Sequence, residues 1–329
     1  MGITTTIALD AMGGDNAPAA IIKGAVEAMN ERQDIRIHFF GDKETIIAEL
    51  KKYKCRKAQI KITHTSEVIT NDESPAIAIK KKKDSSLVMG LRSVKAGECD
   101  AFISAGSTGA VLVGGQVLVG KLRGVRRAPL APLIPTEKGV SLLIDCGANV
   151  DPRPEHLVQF AHMGSIYMEN ILGIKNPKVG IVNIGEEEAK GNALVKATYP
   201  LLKETKDINF VGSIEARDIS RGKVDVIVTE AFVGNVILKF MEGFASSLLK
   251  IIKEGMMSST MSKVGGLLVK PALKDTLKTF DASEYGGAPL LGLKGLVVKI
   301  HGNAGHKETR NAIFQCVSFK ENNINEKIA

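Results

Sequence analysis

Short apolar runs rich in β-branched residues alternate with stretches of helical periodicity along most of the chain. The pattern predicts strands over residues 5–9, 35–40, 59–63, 101–104, 140–144, 179–183, 224–229 and 296–300. Between them, apolar positions recur at helical spacing over 17–29, 44–52, 87–96, 108–119, 154–170, 192–203, 234–253 and 307–317. Asn16 is placed to cap the helix over 17–29, with Pro18 near the tolerated first position. Strands alternating with helices build a mostly parallel sheet covered by helices on both faces. The α/β unit is expected to span 1–329, whole or as two interleaved sub-domains that break at 129–135. Residues 321–329 read as a frayed polar tail.

In such a fold the chemistry sits at the carboxyl ends of the strands. Five predicted strand ends carry glycines and small polar residues: Asp10 to Asn16, Ser104 to Gly109, Asp145 to Asn149, Asn183 to Gly191 and Thr229 to Asn235. Glycine and hydroxyl residues ahead of a helix let several backbone N–H groups converge on one oxyanion. Ser104 to Gly109 is the best such loop. It lacks the Gly-Lys-Ser/Thr ending of a Walker loop and is not GxGxxG.

Two side chains are candidates for charge work. Lys190 is placed to neutralise a phosphate or polarise a carbonyl, or else to pair with Glu186 or Glu187 on the surface. Asn235 is placed to donate to a developing oxyanion, or else to cap the helix it opens. His301 ends a strand and stands well for chemistry or for an ordinary turn. Cys146 has no histidine placed to activate it and reads as a buried small residue. No GxSxG or HExxH motif occurs, and His156 and His162 lack zinc-ligand spacing.

Between 248 and 269 the chain is apolar yet carries Lys250, Lys253, Lys263 and Lys270. Breaks at 258–260 and 265–266 predict two helices meeting at an apolar tip, within a helical hairpin over 244–280. Met256, Met257, Met261, Leu267 and Leu268 would meet a second subunit or an anionic lipid surface. No apolar run looks long enough to cross a bilayer, and residues 1–10 lack a secretory layout, so the chain is expected to be soluble and cytoplasmic. The 329 residues carry 44 Lys and Arg against 36 Asp and Glu, a net charge of +8. That balance favours acidic partners, while the absence of tryptophan and of nucleic-acid motifs argues against nucleic acid. Four dispersed cysteines argue against disulfides or a cysteine zinc site.

The opening from Ile7 to Pro18 resembles that of the PlsX family, the acyl-acyl carrier protein:phosphate acyltransferases of bacterial phospholipid synthesis. The likeness continues at Lys83 to Ser86, Ser104 to Gly109, Pro132 to Thr136, Asp145 to Asn149, Asn183 to Asn192 and Gly234 to Val236. It closes with Glu284 to Gly292, Lys299 to Gly302 and Asn311 to Ile313, nearly the whole chain in order. Thr229 to Phe232, Ser213, Ala216 and Ser107 depart from the family pattern. The resemblance implies a fold similar to isopropylmalate dehydrogenases and phosphotransacetylases, and the loop reading then puts the catalytic work on Lys190 and Asn235. The expected substrate-binding set is Asp10, Gly13, Gly14, Asp15, Asn16, Ser104, Gly106, Ser107, Thr108, Gly109, Asp145, Asn149, Asn183, Glu186, Tyr285, Gly286, Gly287 and His301. It implies acyl carrier protein and inorganic phosphate as partners, a homodimer, and peripheral association with an anionic membrane beside a downstream membrane acyltransferase. No cofactor or metal is expected. Rival readings are a nicotinamide-dependent decarboxylating dehydrogenase, which lacks its clustered aspartates and arginines here, and a non-catalytic carrier-protein scaffold.

Overall fold

In the computed structural model, residues 4–279 and 282–329 are described, with side-chain environments given outside 274–283. The last position of the predicted hairpin, residue 280, lies outside them, as do residues 1–3. The strands are divided between two sheets rather than gathered in one. The first holds β1 (Thr5–Asp10), β2 (Ile35–Gly41), β3 (Ile60–His64) and β4 (Ala101–Ser104). The second holds β5 (Leu133–Thr136), β6 (Gly139–Ile144), β7 (Lys178–Val182), β8 (Asn209–Ile214) and β9 (Val226–Val228). The chain then returns to the first sheet with β10 (Ala288–Pro289) and β11 (Leu296–Lys299). The strand orders are β10-β11-β4-β1-β2-β3 and β5-β6-β9-β7-β8. Only the β10–β11 and β5–β6 pairs of those ladders are antiparallel.

The helices are α1 (Ala19–Glu31), α2 (Lys43–Leu50), α3 (Pro75–Lys81), α4 (Ser86–Lys95), α5 (Thr108–Gly114) and α6 (Pro154–Ile171). They continue as α7 (Ala193–Glu204), α8 (Ala216–Ile219), α9 (Ala231–Met257), α10 (Thr260–Thr279), α11 (His306–Glu321) and α12 (Ile324–Ile328). Alternation along buried strands separates two apolar cores. Ile7, Leu9, Ile103, Ile144 and Val228 belong to one. Ala8, Phe102, Leu143 and Ile227 belong to the other. Each core contains residues of both sheets, so the helical layers pack against the two sheets jointly.

Several expectations are corrected. Asn16 does not cap α1; its amide donates to the Asn303 carbonyl at 2.8 Å and the Ala304 carbonyl at 3.3 Å, tying two loops together. The polar tail is helical, because Ile324 is buried against the core and anchors α12. Among the described residues the hairpin breaks once, between Met257 and Thr260; Gly265 and Gly266 lie inside α10. The segment Ala231–Met256 is long and apolar enough to cross a membrane by length and composition, with a mean hydropathy of 1.3. A scan for unbroken apolar runs misses it because isolated charges interrupt a helix that is apolar on average.

Candidate active site

The carboxyl ends of β4, β6, β9 and β11 converge where the two sheets meet, around a cleft of about 280 Å³. Thr108, Cys146, Asn235, Tyr285, Gly286, Gly287, Lys299 and His301 line it together with Glu242. Leu130, Pro132, Leu133 and Leu238 give it an apolar wall.

Asn235 reaches the cleft because of how α9 starts. Glu230 caps that helix, its carboxylate accepting from the N–H groups of Phe232 at 2.6 Å and Val233 at 2.9 Å. A carboxylate at a helix N-terminus contributes about 1 kcal/mol through capping and the helix dipole. Glu230 thus has a structural account despite its departure from the family pattern. Asn235 lies beyond the cap, so its amide is left for the cleft. Gly234 brings the same turn onto the end of β6, where a β-carbon would fall 2.0 Å from the Asp145 carbonyl oxygen.

Asp145 is buried and organises that contact. Its carboxylate accepts from the N–H groups of Leu130, Ala148 and Asn149 and from the Asn149 amide at 2.7 Å. Burial pushes its pKa up to about 6 against those hydrogen bonds. Asn149 also donates to the Ala128 carbonyl. Both residues frame the rim from within, held by these bonds. Cys146 does line the cleft, yet burial and the neighbouring Asp145 charge push its thiol well up, leaving it un-ionised and a poor nucleophile at neutral pH.

At the expected cradle the Asp10 and Ser104 side chains bond each other. Asp10 accepts from the Met12 and Gly13 N–H groups and from Ser104 Oγ at 2.7 Å, and Ser104 Oγ accepts from the Gly106 N–H. A β-carbon on Gly13 would lie 2.5 Å from the Asp10 carboxylate and 2.7 Å from the Gly106 nitrogen, so the two loops touch through backbone. Gly14, at φ +97°, packs on Ala105, and the Asp15 N–H donates to the Gly302 carbonyl. Ser107 caps α5, and Gly109 makes room for Pro75. Of this loop, Thr108 lines the cleft. These contacts hold the rim together.

Asn183 is likewise internal. Its amide donates to the Lys190 carbonyl and to Ser213 Oγ, both at 3.1 Å, which gives the unusual Ser213 a partner. Lys190 therefore stands at the same rim, because β7 adjoins β9, but it is not among the residues lining the cleft. Its ammonium pairs with Glu187 at 2.8 Å, both groups well exposed. Glu186 pairs with Lys223 at 2.5 Å in a separate surface hollow with Lys138 and Arg221.

Sequence reasoning missed Lys299 and Glu242. Lys299 is 7% exposed at the end of β11, its ammonium donating to the carbonyls of Ala105 at 3.3 Å and of Ile300. Burial lowers its pKa to about 8, opposed by Glu308, Asp10 and Asp15. A lysine closing an apolar strand is the signal that was available. Glu242 bonds His301 across the cleft at 2.8 Å, raising the imidazole pKa above the ordinary value. Gln315 holds Gly287 from both sides, accepting from its N–H at 2.9 Å and donating to its carbonyl at 3.0 Å.

An amide, a buried ammonium and an imidazole around a glycine-bordered cleft, with the one thiol un-ionised, suit acyl transfer to a bound nucleophile, and the two-sheet fold is that of phosphotransacylases. The chain is similar in structure to a phosphotransacetylase from Streptococcus pyogenes, with a TM-score of 0.65 at 15% identity, covering 96% of this chain and 94% of that one. A branched-chain phosphotransacylase from Enterococcus faecalis V583 gives a TM-score of 0.58 at 13% identity, covering 96% and 98%. The chain belongs to the family described as fatty acid synthesis protein, which matches residues 5–327. Relatives named phosphate acyltransferase include one from Clostridium acetobutylicum, 51% identical over 323 residues that cover 98% of this chain and 97% of that protein. Another, from Clostridium kluyveri, is 51% identical over 322 residues, covering 98% and 96%. The chain is an acyltransferase, and the dehydrogenase and scaffold readings are set aside.

Proposed function

We propose that the protein moves a long-chain acyl group from the thioester of acyl-acyl carrier protein to inorganic phosphate, giving acyl phosphate for phospholipid synthesis. The reading rests on the cleft, where Asn235 and Lys299 bring hydrogen-bond donors and positive charge to a site whose thiol, Cys146, is not activated. Phosphate itself attacks the thioester carbonyl carbon. A C–O bond forms, the C–S bond breaks, and the proton of hydrogenphosphate ends on the departing thiol. Asn235 donates to the carbonyl oxygen as it becomes an oxyanion, Lys299 balances the phosphate charge, and Lys190 adds charge from the neighbouring loop. The wall of Leu130, Pro132, Leu133 and Leu238 suits the apolar acyl chain.

The outer surface supports the partners. A net charge of +8 attracts an acidic carrier protein. Phe232, Val236, Phe240 and Phe244 repeat every fourth position along α9 and are exposed, with Phe240 stacked on Phe244. That stripe suits the interface of a homodimer. At the hairpin tip Met257, Met261, Leu267 and Leu268 are exposed beside half-buried Met256 and four lysines, a composition suited to an anionic membrane carrying the next acyltransferase. Incubation with acyl carrier protein thioester and phosphate tests the reaction. Free thiol and hydroxylamine-trappable acyl phosphate should appear together and only with phosphate; an acylated side chain forming at a competent rate overturns it. Co-sedimentation with anionic vesicles and light scattering test the membrane contact and the dimer.

A further inference from the structure

Exchange of thiol for phosphate moves a proton as well as an acyl group. Acyl phosphate leaves as a dianion and the carrier as a neutral thiol, so the proton of hydrogenphosphate must reach sulfur. The C–S bond breaks more readily when that proton arrives as sulfur departs. His301 lines the cleft where this happens. Its Nε2 lies 2.8 Å from Glu242 Oε1, and its backbone N–H donates to Glu308 Oε1 at 2.9 Å. Glu242 stands two helical turns beyond Asn235, so both project from one face of α9 into the same cleft. The carboxylate fixes hydrogen on Nε2 and leaves Nδ1, which has no hydrogen-bond partner among the described residues, as the open ring nitrogen.

We infer that His301 carries the proton of the reaction, with Glu242 as its positioning residue. The imidazolium gives its Nδ1 proton to sulfur as the C–S bond breaks and the C–O bond to phosphate closes. The neutral ring then takes the proton from the phosphoryl hydroxyl, so none enters or leaves overall. The charged groups facing the ring are Glu242 and Lys239 on α9, Glu308 on α11 and Lys299 on β11. Glu242, through its hydrogen bond, and Glu308 favour the imidazolium; burial and Lys299 oppose it.

The inference rests on the phosphate-dependent reaction proposed above, and two thioesters of one acyl chain separate the two claims. One carries an alkyl thiol such as pantetheine; the other carries an aryl thiol acidic enough to leave as a thiolate. His301→Gln is expected to lose about 100-fold in kcat on the alkyl thioester and far less on the aryl one. Glu242→Gln should move the alkaline limb of kcat on the alkyl thioester to lower pH, because the carboxylate that holds the ring charged is gone. Equal losses on both thioesters, or an alkaline limb that stays in place, overturn the relay while leaving the proposed reaction standing. A wild-type protein that releases no thiol with phosphate from either thioester overturns both.

Discussion

A β-carbon on Gly234 would sit 2.0 Å from the carbonyl oxygen of Asp145. Two backbone segments therefore touch where the first turn of α9, which follows β9, packs on the end of β6, and the position of Asn235 follows from that contact. Gly234→Ala cannot be accommodated by a rotamer change, since the obstacle is main chain. It is expected to cost about 3 kcal/mol and to lower activity further in the protein that remains folded. Gly243→Ala on the same helix, where nothing lies within 4 Å, is the control. It should gain up to about 1 kcal/mol through helix propensity. Thermal denaturation and turnover of both variants check the pair.

Asn235 is expected to contribute as a donor, not as a filler of space. Asn235→Ala should lower kcat by about 10²–10³, the range found for loss of one oxyanion donor. Asn235→Asp keeps the volume but brings a negative charge beside phosphate and the oxyanion, so it should be worse than alanine. Equal activity of the two variants in steady-state assays removes the hydrogen-bonding role.

Lys190 poses a different question, because it faces Glu187 outside the cleft. An exposed pair of this kind is worth less than about 1 kcal/mol, so it restrains the ammonium weakly. Meanwhile Asn183 holds the Lys190 carbonyl at 3.1 Å, fixing where the arm begins. The charge is free to turn toward an anion at the rim. Lys190→Ala is expected to reduce kcat/KM by about two decades, whereas Glu187→Gln leaves it unchanged or higher. Unchanged kinetics in Lys190→Ala assign the pair to the loop surface alone.

The contrast between Asn235 and Asp10 shows what the sequence made legible. Strand and helix positions in the interior are readable because they rest on local periodicity. The strands missed are edge strands of their sheets, where burial on both faces is not required: β5 contains Pro135, β8 contains Gly212, and β10 is two residues long. The glycine-rich rim was readable too, but its division of labour was not. Asp10 meets Ser104 across 94 residues, a bond that neither segment announces by itself. Glu242 meets His301 across 59 residues, so neither side chain announces the other. Lone polar residues become a site or a scaffold only through packing between distant segments.

Lys299 gives a pH dependence in which activity and stability move in opposite directions. Two of its three N–H donors go to the Ala105 and Ile300 carbonyls, and the third is left for the cleft. With a pKa lowered to about 8 by burial, the ammonium is intact below pH 8 and lost above it. The apparent KM for phosphate should therefore rise about tenfold per pH unit above pH 8, while the alkaline limb assigned to His301 appears in kcat. Stability runs the other way. Between pH 8 and 10.5 the unfolded chain keeps a proton that the folded chain has released, so this group adds stability as pH rises through that window. Lys299→Met should remove both effects, raising KM for phosphate already at pH 7 and flattening the stability profile above pH 8. Denaturant titrations and phosphate saturation curves at pH 7, 8 and 9 separate a phosphate-binding lysine from a purely structural one, which would shift stability and leave KM untouched.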